Sequence, residues 1–245
     1  MNKKESYPLK LLVIFILLWI ALSINVNYRE DWILENLLTV PFVAFIAWSY
    51  KKFRLSNLSY TLMFAFMTLC IIGSKYTYAE VPFGFWLQEM FNLSRNHYDR
   101  IVHFSFGFLM TYPIREVFLR IANARGFWGF YLPLDVTLSF SAVYEILEWL
   151  IAISFNPGLG TAYLGSQGDE WDGIKDMALA GLGAVIAMTT IFFINLAYNR
   201  NIWKEFRESL RIKSYKPLGE QKLMEWKNLF GKKLHQKEKS SSREK

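Results

Sequence analysis

The stretch that decides the fold is Trp171–Tyr198, WDGIKDMALAGLGAVIAMTTIFFINLAY. A helix needs about 20 mostly apolar residues to cross the hydrocarbon core of a bilayer, which is about 30 Å thick. This stretch is long enough and carries its charges only in its first turns, so it predicts a transmembrane helix. Further along, Ala180, Gly183 and Ala187 share one helix face, and small residues there let two helix backbones approach closely.

Five other stretches have a similar length and apolar character. They run over about Leu9–Val26, Trp32–Tyr50, Leu58–Tyr78, Asp99–Leu119 and Phe127–Ser154. We therefore predict an all-α membrane protein in which residues 1–198 form a bundle of six transmembrane helices. The first three of these spans hold almost nothing ionisable, whereas the last three are rich in charged and polar residues.

The composition agrees with a membrane protein and excludes several other classes. Hydrophobic residues make up 53% of the chain and charged residues 20%, against about 25% charged in a typical soluble domain. The net charge is +7, but most of the excess lies after Tyr198, so we expect no nucleic-acid partner. Cys70 is the only cysteine, which excludes a disulfide scaffold. We predict a multi-pass protein of the cell (inner) membrane.

The distribution of Lys and Arg predicts the orientation of the bundle. The connections that follow the second and fourth spans are basic, as are both ends of the chain, whereas the other connections carry few such residues. Both termini are therefore predicted to be cytoplasmic. An alternative for the first span is a cleaved signal, because Lys3 and Lys4 precede an apolar run that ends in small residues.

Residues 199–245 form a basic cytoplasmic tail in this scheme. Aromatic residues such as Trp203, Phe206 and Trp226 alternate there with Lys and Arg. That pattern favours a partly amphipathic segment held on anionic lipid. The last residues, 237–245, are predicted to be disordered.

Six ionisable residues of the last three spans fall at a similar depth, in the predicted outer half of the membrane. They are Asp99, His103, Glu145, Glu148, Asp172 and Asp176. Within each span these residues are spaced three or four apart, so they share a helix face. Ionisable residues at such depth normally face a bundle interior or a wet cavity. The sequence therefore predicts an acidic pocket on the extracytoplasmic side.

The chemistry of this set is compatible with a divalent metal, because carboxylates with one imidazole suit Mg²⁺, Mn²⁺ or Zn²⁺. Metal-dependent handling of an envelope lipid or amphiphile is the leading hypothesis. The candidate residues are then catalytic Glu145, Glu148 and His103; ligand-binding Asp99 and Asp172; and metal-binding His103, Glu148, Asp172 and Asp176.

Simpler interpretations stand beside this one. Asp169 can cap the following helix, Asp99 can pair with Arg95 or Arg100, and His103 can be a hydrogen-bonded packing residue. Two other functions also remain open. One is a proton- or cation-coupled transporter, and the other is a non-catalytic partner whose acids pair with a basic segment of another protein.

Three blocks of the sequence resemble the YjdF-like family of uncharacterised bacterial inner-membrane proteins. They are YDRIVHF at Tyr98–Phe104, SAVYEILEW at Ser141–Trp149, and YLGSQGDEWD at Tyr163–Asp172, followed by Asp176. The resemblance covers about residues 60–195 and stops short of the basic tail. It implies a multi-pass membrane protein and no specific reaction.

A more distant pattern is similar to VanZ-like proteins, which are linked to glycopeptide antibiotic tolerance. It consists of Asp99 and His103 on one helix, Glu145 on the next, and Asp172 before a glycine-containing helix. Glu148 and the block Gly168–Asp172 depart from the usual VanZ-like pattern.

Overall fold

A computed structural model describes the protein over residues 6–154, 167–199, 201–213, 219–220 and 222–230. Within these ranges every regular element is helical and no strand occurs. The helices are α1 (Ser6–Leu22), α2 (Arg29–Ser49), α3 (Asn57–Lys75), α4 (Pro82–Phe91), α5 (Tyr98–Ser105), a π-helical turn (Phe106–Met110), α6 (Thr111–Ile121), α7 (Trp128–Ser154), α8 (Asp172–Tyr198) and α9 (Ile202–Ser209). The chain divides into two compact units, Met1–Ser209 and Leu210–Lys245.

Four helices of the described chain are long and apolar enough to cross a membrane, namely α2, α3, α7 and α8. Each coincides with a predicted span to within a few residues. The predicted first span corresponds to α1, an apolar helix of 17 residues. The predicted fourth span corresponds to α5, the π turn and α6 in succession. Large apolar side chains on these helices are exposed, such as Leu17, Leu37 and Phe193, as expected of lipid-facing surfaces.

Helix α8 packs closely against α5 and the π turn that follows it. A β-carbon at Gly183 would overlap the carbonyl oxygen of Phe104, and one at Gly107 would overlap the carbonyl oxygen of Ala180. Ala180 is fully buried at the same contact. The small residues therefore do what their spacing predicts, and they bring the acidic first turns of α8 against α5.

The π turn interrupts the helical run Tyr98–Ile121 that carries His103, and a hydroxyl network stabilises this turn. The Oγ1 of Thr111 donates a hydrogen bond of 2.5 Å to the carbonyl of Gly107 and lies 3.0 Å from the Oγ1 of Thr137 on α7. Both threonines are fully buried. Single π turns inside α-helices are frequent near functional sites, and this one begins three residues after His103.

Helices α1 and α2 both pack on α3. Near the C-terminal end of α1, Trp19 stacks on Trp32 with ring centroids 5.9 Å apart. Its indole N–H donates a 2.6 Å hydrogen bond to the side chain of Asn36. Phe15 of α1 is buried against Met67 and Ile71 of α3. The predicted first span is thus part of the bundle core.

Helix α4 is a feature that the sequence interpretation treats only as a connection. Pro82 is the first residue of α4. The helix ends at Phe91, and the next residue, Asn92, has a left-handed backbone with φ 50°. Asn96 ties this helix to α5, because its side chain donates to the carbonyl of Val81 (3.0 Å) and accepts from the backbone N–H of Tyr98 (3.0 Å). These two hydrogen bonds fix the first turn of α5, which contains Asp99.

The first part of the predicted tail belongs to the larger unit. Phe206 of α9 contacts the rings of Phe130 on α7 and Phe192 on α8 at centroid distances of 5.5 and 5.8 Å. In the smaller unit, residues 219–220 and 222–230 are helical, and Trp226 and Phe230 are in ring contact. The predicted disorder of residues 237–245 falls outside the described residues.

Candidate functional site

The centre of the candidate site is a group of three residues from α5 and α8. Asp99, His103 and Asp176 each offer one possible metal-ligand atom, and these atoms all lie within 4.8 Å of one another. The Nε2 of His103 is 3.6 Å from the Oδ1 of Asp99, one helical turn away. His103 and Asp176 are buried, with 7% and 2% of their surfaces exposed. We call these three residues the triad.

Glu145 of α7 approaches the triad from a third helix. Its Oε1 lies 3.5 Å from the Nε2 of His103. A β-carbon at Gly173 would be only 2.6 Å from the Oε2 of Glu145, so a glycine at the start of α8 leaves room for this carboxylate. The ring of Tyr144 meets the His103 ring edge-on, with centroids 5.7 Å apart. The imidazole is therefore surrounded by carboxylates and one aromatic ring.

Glu148 lies one turn beyond Glu145 on the same helix and is buried. The acidic residues around it are Asp99, Glu145 and Glu35. It therefore belongs to the same acidic region, although it is not one of the three residues whose ligand atoms converge.

Asp172 and Asp169 form a different layer at the rim, where carboxylates meet cations. Asp172 is in ion pairs with Arg95 and, at 3.4 Å, with Arg100. Asp169 pairs with Arg100 at 2.5 Å and with Lys175 at 2.6 Å. The two arginines that the sequence offers to Asp99 thus bind Asp172 and Asp169, and Asp99 lies beside His103 instead.

Asp169 lies two residues before Trp171, the N-cap residue of α8, so it does not take the capping role that the sequence suggests. Its Oδ1 accepts a 3.1 Å hydrogen bond from the backbone N–H of Trp171, just before α8. The hydrogen bond from the Lys175 ammonium is the main reason that the pKa of Asp169 is lowered to about 2, and Arg100 adds to this effect. Asp169 is thus a carboxylate with its partners already in place.

Several polar atoms of the deeper layer have no such partner. The Oδ1 of Asp176, the Oε1 of Glu145 and the Oγ of Ser141 are buried and make no hydrogen bond within the described chain. Unpaired polar atoms in a protein interior are costly. This layer is therefore suited to receive a cation or another hydrogen-bonding ligand.

A cavity of about 500 Å³ extends from Asp99 and His103 between α2, α3, α5 and α7. Most of its wall is apolar, and its aromatic lining consists of Phe42, Phe45, Phe66, Tyr78, Phe106, Phe140 and Tyr144. Its ionisable residues are Glu35, Asp99, His103 and Cys70, with Ser141 nearby. Such a space, apolar along its length and polar at one place, has the character of a small-molecule site.

The cavity borders the lipid-facing surface between α2 and α7. Helix α2 packs on α3, helix α7 packs on α6 and α8, and the direct contact between α2 and α7 is slight. Phe45 of α2 and Phe140 of α7 line the cavity, and each of these residues has 57% of its surface exposed. The cavity therefore has a side that can communicate with the bilayer.

Glu35 is a site residue that the sequence interpretation missed. It lies within the predicted second span, is 9% exposed and lines the cavity. Glu35 is thus an exception within the first three spans, which otherwise carry almost nothing ionisable, and its place in the cavity wall was not predicted. The signal was present, because Asp31 and Glu35 are four residues apart and share one face of an apolar helix.

Comparison with known proteins identifies the family. Residues 7–196 match a family described as "Predicted membrane protein (DUF2238)". The chain belongs to this family. It is also 36% identical over 179 residues to the inner membrane protein YjdF of Escherichia coli (strain K12), across 73% of this chain and 84% of that relative. No solved structure matches the chain significantly.

Membership of the DUF2238 family confirms the predicted YjdF-like resemblance and the assignment to the inner membrane. The matched range includes every residue of the candidate site, from Glu35 to Asp176, and ends before α9. The site therefore lies in the part of the chain that defines the family, and the basic tail lies outside it.

Proposed function

We propose that this protein binds an amphiphile from the surrounding membrane, with the apolar chain in the cavity and the polar head at the triad. The observation that carries the proposal is the position of Asp99 and His103, which belong both to the triad and to the wall of an otherwise apolar cavity. A volume of about 500 Å³ suits one chain and a small head group. Entry between α2 and α7 avoids passage through water.

The triad is proposed to hold a divalent cation, Zn²⁺, Mn²⁺ or Mg²⁺. Two carboxylates and one imidazole are suitable ligands, and a cation would offset buried negative charge at Asp176, with which no Lys or Arg of the described residues forms an ion pair. Relative to the set expected from sequence, the geometry favours Asp99 as a ligand. It disfavours Asp172, which is bound by two arginines.

Glu145 and Glu148 are proposed as the groups that accept or deliver a proton at the head group. Glu145 is close to His103, and Glu148 lies one turn further along α7. A metal-held head group beside two such carboxylates is an arrangement suited to general acid–base chemistry. In this scheme His103 is a ligand that Asp99 helps to orient.

The proposed topology is a bundle of six spans with both termini in the cytoplasm. Four spans are supported by length and composition, and α1 and the run Tyr98–Ile121 complete the set. Asp176 is four residues into α8, so the triad would lie about 6 Å below the start of that helix. The proposed position of the site is therefore the outer half of the membrane.

The test is the metal content of detergent-purified full-length protein, measured by elemental mass spectrometry. We expect near-stoichiometric metal in the wild type and its loss in Asp176→Asn and His103→Gln. Glu170→Gln is the matched control, because it removes an exposed carboxylate near the rim of the site. Equal metal content in all four proteins, or none in any folded sample, would contradict a metal-binding triad.

A proton- or cation-coupled transporter is the second candidate, and Glu35 favours it. This carboxylate extends the line of acidic groups from the triad toward α2. Cation uptake into proteoliposomes that is lost in both Glu35→Gln and Asp176→Asn would support transport over binding of an amphiphile.

A further inference from the structure

A second apolar space lies against α3, next to the cavity of the candidate site. It is a groove of about 540 Å³ bordered by α1 and α2 and floored by α3. The floor consists of Tyr60, Met63, Phe64 and Met67. The groove shares only Phe42 and Met67 with the cavity of the candidate site, so these two side chains separate the two spaces.

The two ends of the groove differ. Beyond one end, Trp19 contacts Trp32 and Asn36 and so joins α1 to α2. At the other end the lining includes Lys51 and Arg54, directly after α2. No Asp or Glu of the described chain lines the groove. An occupant would therefore be apolar along most of its length and negatively charged at one end.

The nearest carboxylate on α6 is already bound by other groups. Glu116 accepts hydrogen bonds from the backbone N–H of Ser56 (2.9 Å) and the hydroxyl of Ser59 (2.5 Å), and it pairs with Arg120 at 2.9 Å. It thus serves to fix the start of α3. Lys51 is exposed, and its ammonium group is accessible at the mouth of the groove.

We propose that this groove binds one anionic phospholipid, with an acyl chain along α3 and the phosphate at Lys51 and Arg54. From Phe42 to Tyr50 the groove follows α2 for about 12 Å, and its mouth lies at the level where α2 ends. Basic pockets between transmembrane helices commonly bind anionic head groups. In the proposed topology this mouth faces the cytoplasmic leaflet. The inference does not depend on the metal or the amphiphile proposed above.

The test is native mass spectrometry of the full-length protein after exchange into phosphatidylglycerol or phosphatidylcholine. We expect the wild type to retain one phosphatidylglycerol and little phosphatidylcholine. In Lys51→Gln/Arg54→Gln the apparent affinity for phosphatidylglycerol should fall by about fivefold for each cation removed. Arg54→Gln preserves the backbone carbonyl that accepts a hydrogen bond from Arg120, but it alters the side chain that donates to Asn57 at 3.3 Å and lies over the ring of Tyr50, so the fold of this variant is checked by its thermal unfolding.

Lys52→Gln is the matched control for charge. Lys52 is adjacent in sequence, but its ammonium lies over the ring of Trp48 at 5.2 Å and it does not line the groove. Retention of phosphatidylglycerol in Lys52→Gln together with its loss in the double variant supports the proposal. Equal retention in all variants, or equal retention of both lipids by the wild type, would overturn it.

A second variant tests the groove without altering charge. Ala47 lines it and is exposed, so Ala47→Phe should fill the path of the acyl chain and cause little loss of packing elsewhere. We expect loss of the retained phosphatidylglycerol with unchanged metal content. Unchanged lipid binding in Ala47→Phe would contradict an acyl chain in the groove, even if the double charge variant failed to fold.

Discussion

Asp172 and Asp176 lie one helical turn apart on α8, and both are buried, but their surroundings differ. Asp172 is paired with Arg95 and Arg100, whereas Asp176 faces Asp99 and His103 and has a buried Oδ1 without a hydrogen bond. Asp172 also has a buried Oδ2 without a hydrogen bond, so the difference between the two residues is in the cations: two arginines pair with Asp172, whereas no Lys or Arg of the described residues forms an ion pair with Asp176. The comparison separates a structural rim from a layer available for a ligand.

The largest expected effect is on stability at the rim. Asp172→Asn removes the charged partner of a buried ion pair with Arg95, and loss of one member of a buried pair costs about 3–5 kcal/mol. Asp176→Asn removes a carboxylate that repels its neighbours, so in metal-free protein it should be neutral or stabilising. Unfolding of both variants in detergent measures this difference. A greater loss in Asp176→Asn than in Asp172→Asn would reverse the assignment of the two layers.

The next effect is stabilisation by metal at the deeper layer. A ligand that binds only the folded state at 100 times its dissociation constant stabilises that state by about 2.7 kcal/mol. We therefore expect Mn²⁺ or Zn²⁺ to raise the unfolding temperature of the wild type and a chelator to reverse the rise. Asp176→Asn should not respond, whereas Glu170→Gln should respond as the wild type does. An equal response in Asp176→Asn would place the metal elsewhere.

A smaller effect is expected where α8 meets α5. Gly183→Ala puts a β-carbon against the backbone carbonyl of Phe104, which cannot move away without shifting a helix, so we expect a loss of about 1–3 kcal/mol. It should also weaken metal binding, because the same contact brings Asp176 to His103. Gly181→Ala is the control, since its β-carbon would meet only the mobile side chain of Leu138 at 2.9 Å. Similar losses in both variants would contradict a backbone-limited contact.

The helices were largely predictable from the sequence, because apolar length alone determines what can cross a bilayer. The stripe at Ala180, Gly183 and Ala187 also predicted the close face of α8. Helix α4 escaped prediction because its ten residues are too few to span a membrane. Its tie to α5 depends on Asn96, whose bonds to Val81 and Tyr98 leave no periodic signal in the sequence.

The residues of the candidate site and their common depth could be predicted from the sequence, but the ion pairs and contacts between them could not. Spacing placed Asp99, His103, Glu145 and Asp176 at one depth, and the structure brings them together. Which carboxylate takes the arginines depends on the path of the chain before α5, and that path directs Arg95 to Asp172. The proposed metal ligands therefore include Asp99 instead of Asp172, because Arg95 pairs with Asp172.

The smallest effect concerns pH and again separates the rim from the deeper layer. The pKa of Asp169 in the folded protein is about 2, mainly because Lys175 donates to its carboxylate, against an ordinary value of 3.8. A lowered pKa means that this carboxylate contributes stability above about pH 4 and that the contribution is lost as the pH falls toward 2. Lys175→Gln should weaken this part of the acid dependence of unfolding, as measured between pH 5 and 2. Lys175 is exposed, so the change should be modest, and metal content near neutral pH should stay at the wild-type level. A loss of metal in Lys175→Gln would mean that rim and triad are coupled rather than separate.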